Sequence, residues 1–323
     1  MDPLVALRSA AEALRQRNFS AALVAGQQGL ADNPDHPALL GMTALALLQL
    51  DRKHDAIPVL RRQVEVSPDD KAARFNLATV LTATGAAEEA RQLVRNHGGH
   101  PGLARIAGYF LQEDGDFGGA ADAYRAAVAA APQDWESWNN LGNCCVALED
   151  RKQAVAAFEN AINASPYPCV PEVFLNLGRA LSGVEDRDAR LRSAEEAARR
   201  FPGHLGVLIE LGLAQAAAGR RDLAEQTLRQ AAQLEDHFGE ARLELGLLLE
   251  NDNRLDELDQ HIAECEKLGA SPELAFLKAW SLRRRERFVE ARLEAERIPD
   301  TINPIRTAQV RAEIAERLGE PAE

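Results

Sequence analysis

Few residues of this chain have both a reactive side chain and the spacing that a catalytic or metal-binding site requires. His97 and His100 flank two glycines and could chelate a metal ion weakly, but no cysteine or carboxylate stands at ligand spacing beside them. A polar loop is therefore the favoured interpretation. Cys144 and Cys145 are adjacent, yet no cluster of basic residues accompanies them, which argues against redox chemistry and for Cys145 as a small buried apolar residue.

The sequence also has none of the short motifs that mark common catalytic sites. It contains no phosphate-binding loop, no nucleophile elbow of the serine hydrolases and no paired-histidine helix of the zinc peptidases. Its basic runs, Arg220–Arg221 and Arg283–Arg285, are short and suit the C-terminal ends of helices better than a phosphate group. We therefore expect a protein that is not an enzyme, with no catalytic residue, no metal and no cofactor.

Small residues recur along the chain at a nearly constant spacing, and they define the elements that must position every other side chain. They are Ala10, Ala44, Ala78, Gly108, Gly142, Gly178, Gly212, Gly246 and Ala279. Seven of the nine copies have alanine twelve residues later, and the exceptions are Arg190 and Leu258. Apolar residues around each small residue follow the helical period. Each copy therefore predicts two helices joined by a turn and packed closely through the small residues.

The copy between Trp135 and Pro168 is the most complete. It has Trp138, Leu141, Gly142, Ala154, Phe158, Ala161 and Pro166 within a period of about 34 residues. This pattern resembles the tetratricopeptide repeat (TPR), and the resemblance covers essentially the whole chain. It implies an all-α fold, a right-handed superhelical solenoid of antiparallel helix pairs, in which the first helix of each pair lines a concave groove. It also implies that partners lie in that groove as extended peptides.

The repeats divide the chain into an array over residues 3–303 and a terminal segment. The nine copies are approximately 3–36, 37–70, 71–100, 101–134, 135–170, 171–204, 205–238, 239–271 and 272–303. The step between the third and fourth small residues is only 30, which predicts a shortened second helix or turn near residues 96–102. We expect residues 304–323 to form either a capping helix or the first helix of a truncated tenth repeat.

The resemblance assigns residues to the groove through positions 2, 5, 6, 9, 12 and 13 of each repeat. The polar residues expected to contact a peptide are Asn76, Arg105, Tyr109, Asn139, Asn140, Asn143, Asn176 and Arg179. Asn76, Asn140 and Asn176 share position 6, which resembles the asparagine ladder of the O-linked N-acetylglucosamine transferase array. An amide can donate to and accept from a peptide backbone, so such a row binds extended chains with little sequence preference. The alternative is that these asparagines bond to neighbouring helices or to water.

The two-carboxylate clamp of chaperone-binding TPR domains is matched only in part. Asn143 and Asn176 occupy clamp positions, but Asn139 replaces a lysine and Glu210 stands where a base is needed. Glu210 would repel a C-terminal carboxylate, because like charges disfavour each other. The sequence therefore argues against binding of chaperone tails.

Apolar residues occupy groove positions in the seventh and eighth copies. Ile209, Leu213, Leu243 and Leu247 would form an apolar contact wall there. Exposed apolar surface of that extent is typical of a contact site, whose occupant could be a partner helix, a second copy in a homodimer or a further domain. The alternative is that the curvature of the array or the terminal helix buries the wall.

Charge and composition limit the classes of partner and compartment. The net charge is −13, so the chain lacks the basic footprint that nucleic acids and anionic membrane surfaces require. The four cysteines form no disulfide framework, no stretch is apolar enough to span a membrane, and the first residues do not read as a signal peptide. An alanine- and arginine-rich, lysine-poor composition favours a bacterial source. We expect a cytoplasmic protein with a protein or peptide partner.

Together these features predict a protein–protein interaction scaffold that binds an extended polypeptide segment in its concave groove. A second interpretation is the N-terminal substrate-targeting region of a larger bacterial enzyme, whose sulfotransferase-like, glycosyltransferase or hydroxylase domain is absent from these residues. The apparent half-repeat after Pro304 motivates this interpretation. The reading frame beyond Glu323 would distinguish the two.

Overall fold

A computed structural model describes residues 2–95, 99–164, 170–182, 187–302 and 304–319 of the chain. His97, Pro166, Cys169, Asn303 and residues 320–323 lie outside these ranges. Within the described ranges the regular structure is entirely α-helical, as the sequence predicts. The helices are α1 (Pro3–Arg15), α2 (Phe19–Asp32), α3 (Pro37–Gln49), α4 (Lys53–Val66), α5 (Lys71–Ala83), α6 (Ala87–Val94), α7 (Pro101–Glu113), α8 (Phe117–Ala130), α9 (Trp135–Ala147), α10 (Arg151–Ala164), α11 (Pro171–Ser182), α12 (Arg187–Arg200), α13 (Leu205–Ala217), α14 (Arg221–Ala232), α15 (Glu240–Asn251), α16 (Leu255–Glu266), α17 (Pro272–Arg284), α18 (Phe288–Ala295) and α19 (Pro304–Leu318).

Consecutive helices pack as pairs, from α1 with α2 to α17 with α18, and α19 packs against the last pair. The chain forms two compact units, residues Met1–Tyr167 and Pro168–Glu323, which contain α1 to α10 and α11 to α19. Within each unit the second helix of one pair also packs against the first helix of the next. Short turns reverse the chain direction between the two helices of a pair. The all-α array of antiparallel helix pairs predicted from the sequence is therefore confirmed.

The recurring glycine lets the two helices of a pair approach closely. A Cβ atom added to Gly108 would lie 2.8 Å from the ring of Tyr124, and one added to Gly142 would lie 2.5 Å from the ring of Phe158. In both repeats the aromatic ring comes from the second helix, and it occupies the space that a side chain on the first helix would need. Because protein interiors are close-packed, a larger residue at these positions would force the helices apart.

Repeats six and eight use the same glycine for a different contact. A Cβ atom on Gly178 would lie 2.4 Å from the carboxylate of Glu210, and one on Gly246 would lie 2.4 Å from Leu277. Glu210 and Leu277 belong to the first helix of the following pair, α13 and α17. These are the two repeats in which another residue replaces the usual alanine of the second helix. The two departures in the sequence pattern therefore coincide with a change in which helix covers the glycine.

Eight of the helix pairs have a turn that the structure describes, and each of these turns contains a left-handed residue seven positions after the small residue. Their φ values lie between 56° and 81°. The residues are Arg17, Asp51, Gly85, Gly115, Glu149, Gly219, Asn253 and Glu286. Only three are glycine, so the other turns place a side chain in a backbone region that L-residues disfavour.

The short step between the third and fourth repeats shortens one helix. α6 has 8 residues, whereas α4 and α8 each have 14. His100 is the N-cap of the next helix, α7, and its Nδ1 accepts a hydrogen bond from the backbone N–H of Leu103 over 3.3 Å. Burial lowers the pKa of His100, so its ring is a neutral cap of the helix.

Candidate functional site

A buried tyrosine links helices α7 and α9 in the first unit. Tyr124, on α8, is 0% exposed, and its hydroxyl donates a hydrogen bond to Oε1 of Gln112, on α7, over 3.3 Å. The side-chain amide of Asn140, on α9, hydrogen-bonds to the same hydroxyl. The thiol of Cys144, one turn further along α9, donates to Oε1 of Gln112 over 3.7 Å. Gln112 and Asn140 are only partly buried, so this cluster joins the core to the surface.

Both hydrogen-bond donors at the base of the cluster stay protonated at neutral pH. Burial raises the pKa of the Tyr124 phenol above its ordinary value. Burial also raises the pKa of the Cys144 thiol to about 11. Because a buried group favours its neutral form, each keeps the hydrogen that it donates.

Arg105 pairs with two carboxylates at the start of α9. Its Nη1 lies 3.2 Å from Oδ1 of Asp134 and also pairs with the carboxylate of Glu136. Asp134 is the cap residue of α9 and accepts hydrogen bonds from the backbone and side chain of Ser137. Arg105 therefore connects α7 to the first turn of α9, and its contact with a peptide stays a prediction.

Tyr109 presents an exposed ring on the same stretch of α7. It is 44% exposed, and its hydroxyl donates to Oε1 of Glu113 over 2.6 Å. This bond to the carboxylate, which needs the phenolic hydrogen, raises the pKa of Tyr109. Arg91 lies 3.7 Å from the same carboxyl group of Glu113. Arg91 also pairs with Asp114, so one cation lies beside two carboxylates near Tyr109.

The remaining asparagines of the first unit are partly exposed. Asn139 and Asn143 lie on α9 together with Asn140, and Asn76 lies on α5. Asn139 interacts with other protein groups. Within the described residues, no hydrogen bond joins the amide of Asn76 or Asn143 to another protein group. α5 packs against α7, and the contacts described above connect α7 to α9, so these amides belong to one succession of helices.

The second unit contains the other two predicted groove residues. On α11, Nη1 of Arg179 donates a hydrogen bond to Oδ1 of Asn176 over 3.2 Å. The side chain of Arg179 is exposed, and that of Asn176 is partly buried. The two residues therefore form a local pair, one helical turn apart.

The predicted apolar contact wall is wrong for two of its four residues. Ile209 and Leu247 are each only 5% exposed. Ile209 packs with Ala231 and Ala241, and Leu247 belongs to the core around α15 to α19. Leu213 and Leu243 remain partly exposed but pack against the same two cores. The side chains expected to face a partner instead fill the space between successive helices of the second unit.

A buried ion pair in the second unit was missed by sequence reasoning. Arg190, on α12, contacts Glu210, on α13, through two hydrogen bonds of 2.7 Å and 2.8 Å. The side chains are 15% and 10% exposed. The only signal in the sequence was that each residue departs from its expected type, an alanine and a base respectively. Their mutual contact could not be read from spacing.

Glu244, on α15, is a second carboxylate of interest in the second unit. Burial raises its pKa, and the neighbouring carboxylate of Glu240 raises it further. The charges of Arg306 and Arg190 act in the opposite direction. The pKa therefore rises although positive groups lie nearby, which makes the ionised form of Glu244 costly in the folded state.

The described residues offer little for redox or metal chemistry. Cys144, Cys145 and Cys265 are free and buried, and burial raises the pKa of each thiol. Among the described residues, no group of histidine, cysteine and carboxylate side chains could hold a metal ion. In the same part of the chain, no helix combines the length and the apolar character needed to cross a membrane.

Comparison with known proteins identifies the repeat. The sequence profile described as tetratricopeptide repeat matches residues 7–63, 42–101 and 108–168. Residues 7–101 and 108–168 of this chain are tetratricopeptide repeats. Except for the last residue, the matched segments lie within the first unit. The helix pairs continue through the second unit. TPR arrays are typically non-enzymatic, and this chain is a TPR scaffold for protein interaction.

Solved structures of other TPR proteins resemble parts of the chain. YrrB, described as a TPR protein with an unusual peptide-binding site, is 19% identical, with a TM-score of 0.49 over 55% of this chain and 92% of that chain. The MamA protein is 20% identical, with a TM-score of 0.47 over 52% of this chain and 90% of its own. No curated protein matches the chain.

Proposed function

We propose that this TPR scaffold binds an extended polypeptide segment along α5, α7 and α9 of the first unit. The observation that carries the proposal is a group of five partly exposed amide side chains on these helices. Arg105 is paired with Asp134 and Glu136, and Glu113 with Tyr109. The amide residues on the three helices, all of them partly exposed, are Asn76, Gln112, Asn139, Asn140 and Asn143.

Neutral amides suit a peptide backbone better than a charged side chain. Each amide has an N–H donor and a carbonyl acceptor, which match the C=O and N–H groups of an extended chain. Asn76 and Asn143 have no hydrogen bond to another described residue, so a partner would not have to displace one. Tyr109 adds an exposed ring against which an apolar side chain of the peptide could pack.

The test begins with a phage-displayed library of random linear peptides, selected on the wild-type protein. The selected peptide is then titrated by calorimetry into wild type and into the double variant Asn76→Ala/Asn143→Ala. We expect the double variant to bind roughly tenfold more weakly, since each lost hydrogen bond costs about 0.5–1.5 kcal/mol. The double variant should melt at the wild-type temperature, because both side chains are partly exposed.

The matched control is Asn160→Ala, the same change on an exposed residue of α10. It should bind the peptide as wild type does. A library that yields no binder, or a peptide equally sensitive to the control and to the double variant, would contradict binding along α5, α7 and α9.

A further inference from the structure

We infer that Tyr124 fixes the orientation of Gln112 and Asn140, so that one amide offers a donor and the other an acceptor to a peptide backbone. The inference rests on the proposed function and extends it to three residues of α7, α8 and α9. Gln112 and Asn140 then form a subsite that recognises one carbonyl and one N–H group of the bound chain.

The position of the Tyr124 hydroxyl is fixed by packing. The residue is 0% exposed, and a Cβ atom on Gly108 would already lie 2.8 Å from its ring. The ring therefore has no room to rotate away from α7. Since the protein interior is close-packed, its hydroxyl is a fixed point beneath the two amides.

The direction of each hydrogen bond follows from the hydrogens available. The Tyr124 hydroxyl has one hydrogen, which it donates to Oε1 of Gln112. The thiol of Cys144 donates to the same oxygen. With Oε1 engaged by two donors from the core, the NH₂ group of Gln112 is turned away from Tyr124.

The orientation of Asn140 also follows from the hydrogens that are available. Because the hydroxyl hydrogen of Tyr124 is used by Gln112, the hydroxyl oxygen can only accept from Asn140. Asn140 must therefore direct an N–H group of its amide toward Tyr124, which leaves its Oδ1 as an acceptor on the other side. Gln112 thus offers N–H groups to a carbonyl of the peptide, and Asn140 offers Oδ1 to an N–H group.

The first experiment uses Tyr124→Phe and the peptide selected for the proposed function. Phenylalanine fits this kind of position, because Phe158 packs on Gly142 as Tyr124 packs on Gly108. We expect the variant to fold with an unchanged far-ultraviolet circular dichroism spectrum. It should bind the peptide about two- to fourfold more weakly, because an amide that is no longer fixed offers the correct group only about half of the time.

An ester scan of the peptide separates positioning from a general structural effect. Each backbone N–H of the peptide is replaced in turn by an ester oxygen, and each analogue is titrated into wild type and Tyr124→Phe. In wild type, the ester opposite Oδ1 of Asn140 should weaken binding about tenfold. In Tyr124→Phe that particular penalty should shrink to about twofold or less, because the amide is free to turn over.

The possible results separate a failure of the orientation by Tyr124 from a failure of the proposed function. If Asn76→Ala/Asn143→Ala weakens binding but Tyr124→Phe binds normally, or shows the wild-type ester profile, the orientation by Tyr124 is wrong while the binding face stands. If none of these variants changes affinity, the proposed function itself fails.

Discussion

Arg190 holds Glu210 in a bidentate ion pair between α12 and α13, with nitrogen–oxygen distances of 2.7 Å and 2.8 Å. Both side chains are nearly buried, and Gly178 provides the space that the carboxylate occupies. In seven of the other eight repeats an alanine takes the place of Arg190. The sixth repeat has therefore replaced a small apolar contact by a pair of charges, and each charge depends on the other.

Removal of one partner should be far more harmful than removal of both. Arg190→Met leaves the Glu210 carboxylate buried without its cation, which should destabilise the second unit by about 3–5 kcal/mol. The double variant Arg190→Met/Glu210→Met should lie close to wild type, since apolar residues of similar volume can replace a buried pair. Urea denaturation followed by circular dichroism measures both. A double variant as unstable as Arg190→Met would show that the two charged side chains also stabilise the second unit through interactions other than the one with each other.

The packing of helix pairs predicts opposite effects for the same substitution at two glycines. Gly142→Ala places a Cβ atom 2.5 Å from the Phe158 ring and should destabilise the first unit by about 1–3 kcal/mol. Gly118→Ala, on exposed α8 surface, meets only the Asp116 carboxylate at 3.7 Å and should stabilise by about 0.5–1 kcal/mol. Thermal melts of the two variants provide the comparison. Equal melting temperatures would contradict the close approach at Gly142.

The buried thiols should be unreactive in the folded protein. Burial raises the pKa of Cys144 and of Cys265 to about 11, so neither forms the reactive thiolate at pH 8. Iodoacetamide should leave both residues, and the equally buried Cys145, unmodified in native protein and alkylate them in guanidinium chloride. Peptide mass spectrometry reports each site. Rapid alkylation of Cys144 in native protein would mean that α8 and α9 open readily.

Glu244 should make the second unit less stable at neutral pH than in mild acid. Because burial raises its pKa in the folded state, the folded chain binds more protons than the unfolded chain between the two pKa values. Stability contributed by this group therefore falls as the pH rises through that window. Glu244→Gln should raise the melting temperature at pH 7, and the gain should vanish below the ordinary carboxyl pKa.

The control for this change is Glu264→Gln, on exposed surface of α16. It should leave the melting temperature unchanged at both pH values. A gain for Glu244→Gln that persists unchanged in acid would argue that the amide stabilises through new hydrogen bonds instead of through the lost charge.

The helix pairs could be predicted because the residues that set their spacing are visible in the sequence. A small residue on the first helix determines how near the second can come, and Gly108 and Gly142 are covered by aromatic rings as this reasoning requires. The shortened α6 followed likewise from one short step between repeats. These features depend on residues close together in the chain.

The contacts between successive repeats could not be predicted in the same way. The position of a residue in its repeat indicates on which face of the helix the residue lies. It does not indicate how closely the next helix approaches that face. Ile209 was expected on an exposed wall and is instead covered by residues of α14 and α15. The peptide contacts of Asn76, Asn139, Asn140, Asn143, Asn176 and Arg179 stay predictions, since they depend on a partner.

The residue in each left-handed turn influences the stability of its own repeat, and therefore the order in which the repeats unfold. In a linear array each repeat contributes its own stability and an interaction with its neighbours. A non-glycine residue such as Glu149 or Asp51 in a left-handed turn costs its repeat about 1 kcal/mol, whereas Gly115 avoids the cost. One residue per turn can therefore decide where fraying begins. Since these turns are separate from the amides on α5, α7 and α9, evolution could retune the unfolding of this chain while leaving its recognition surface unaltered.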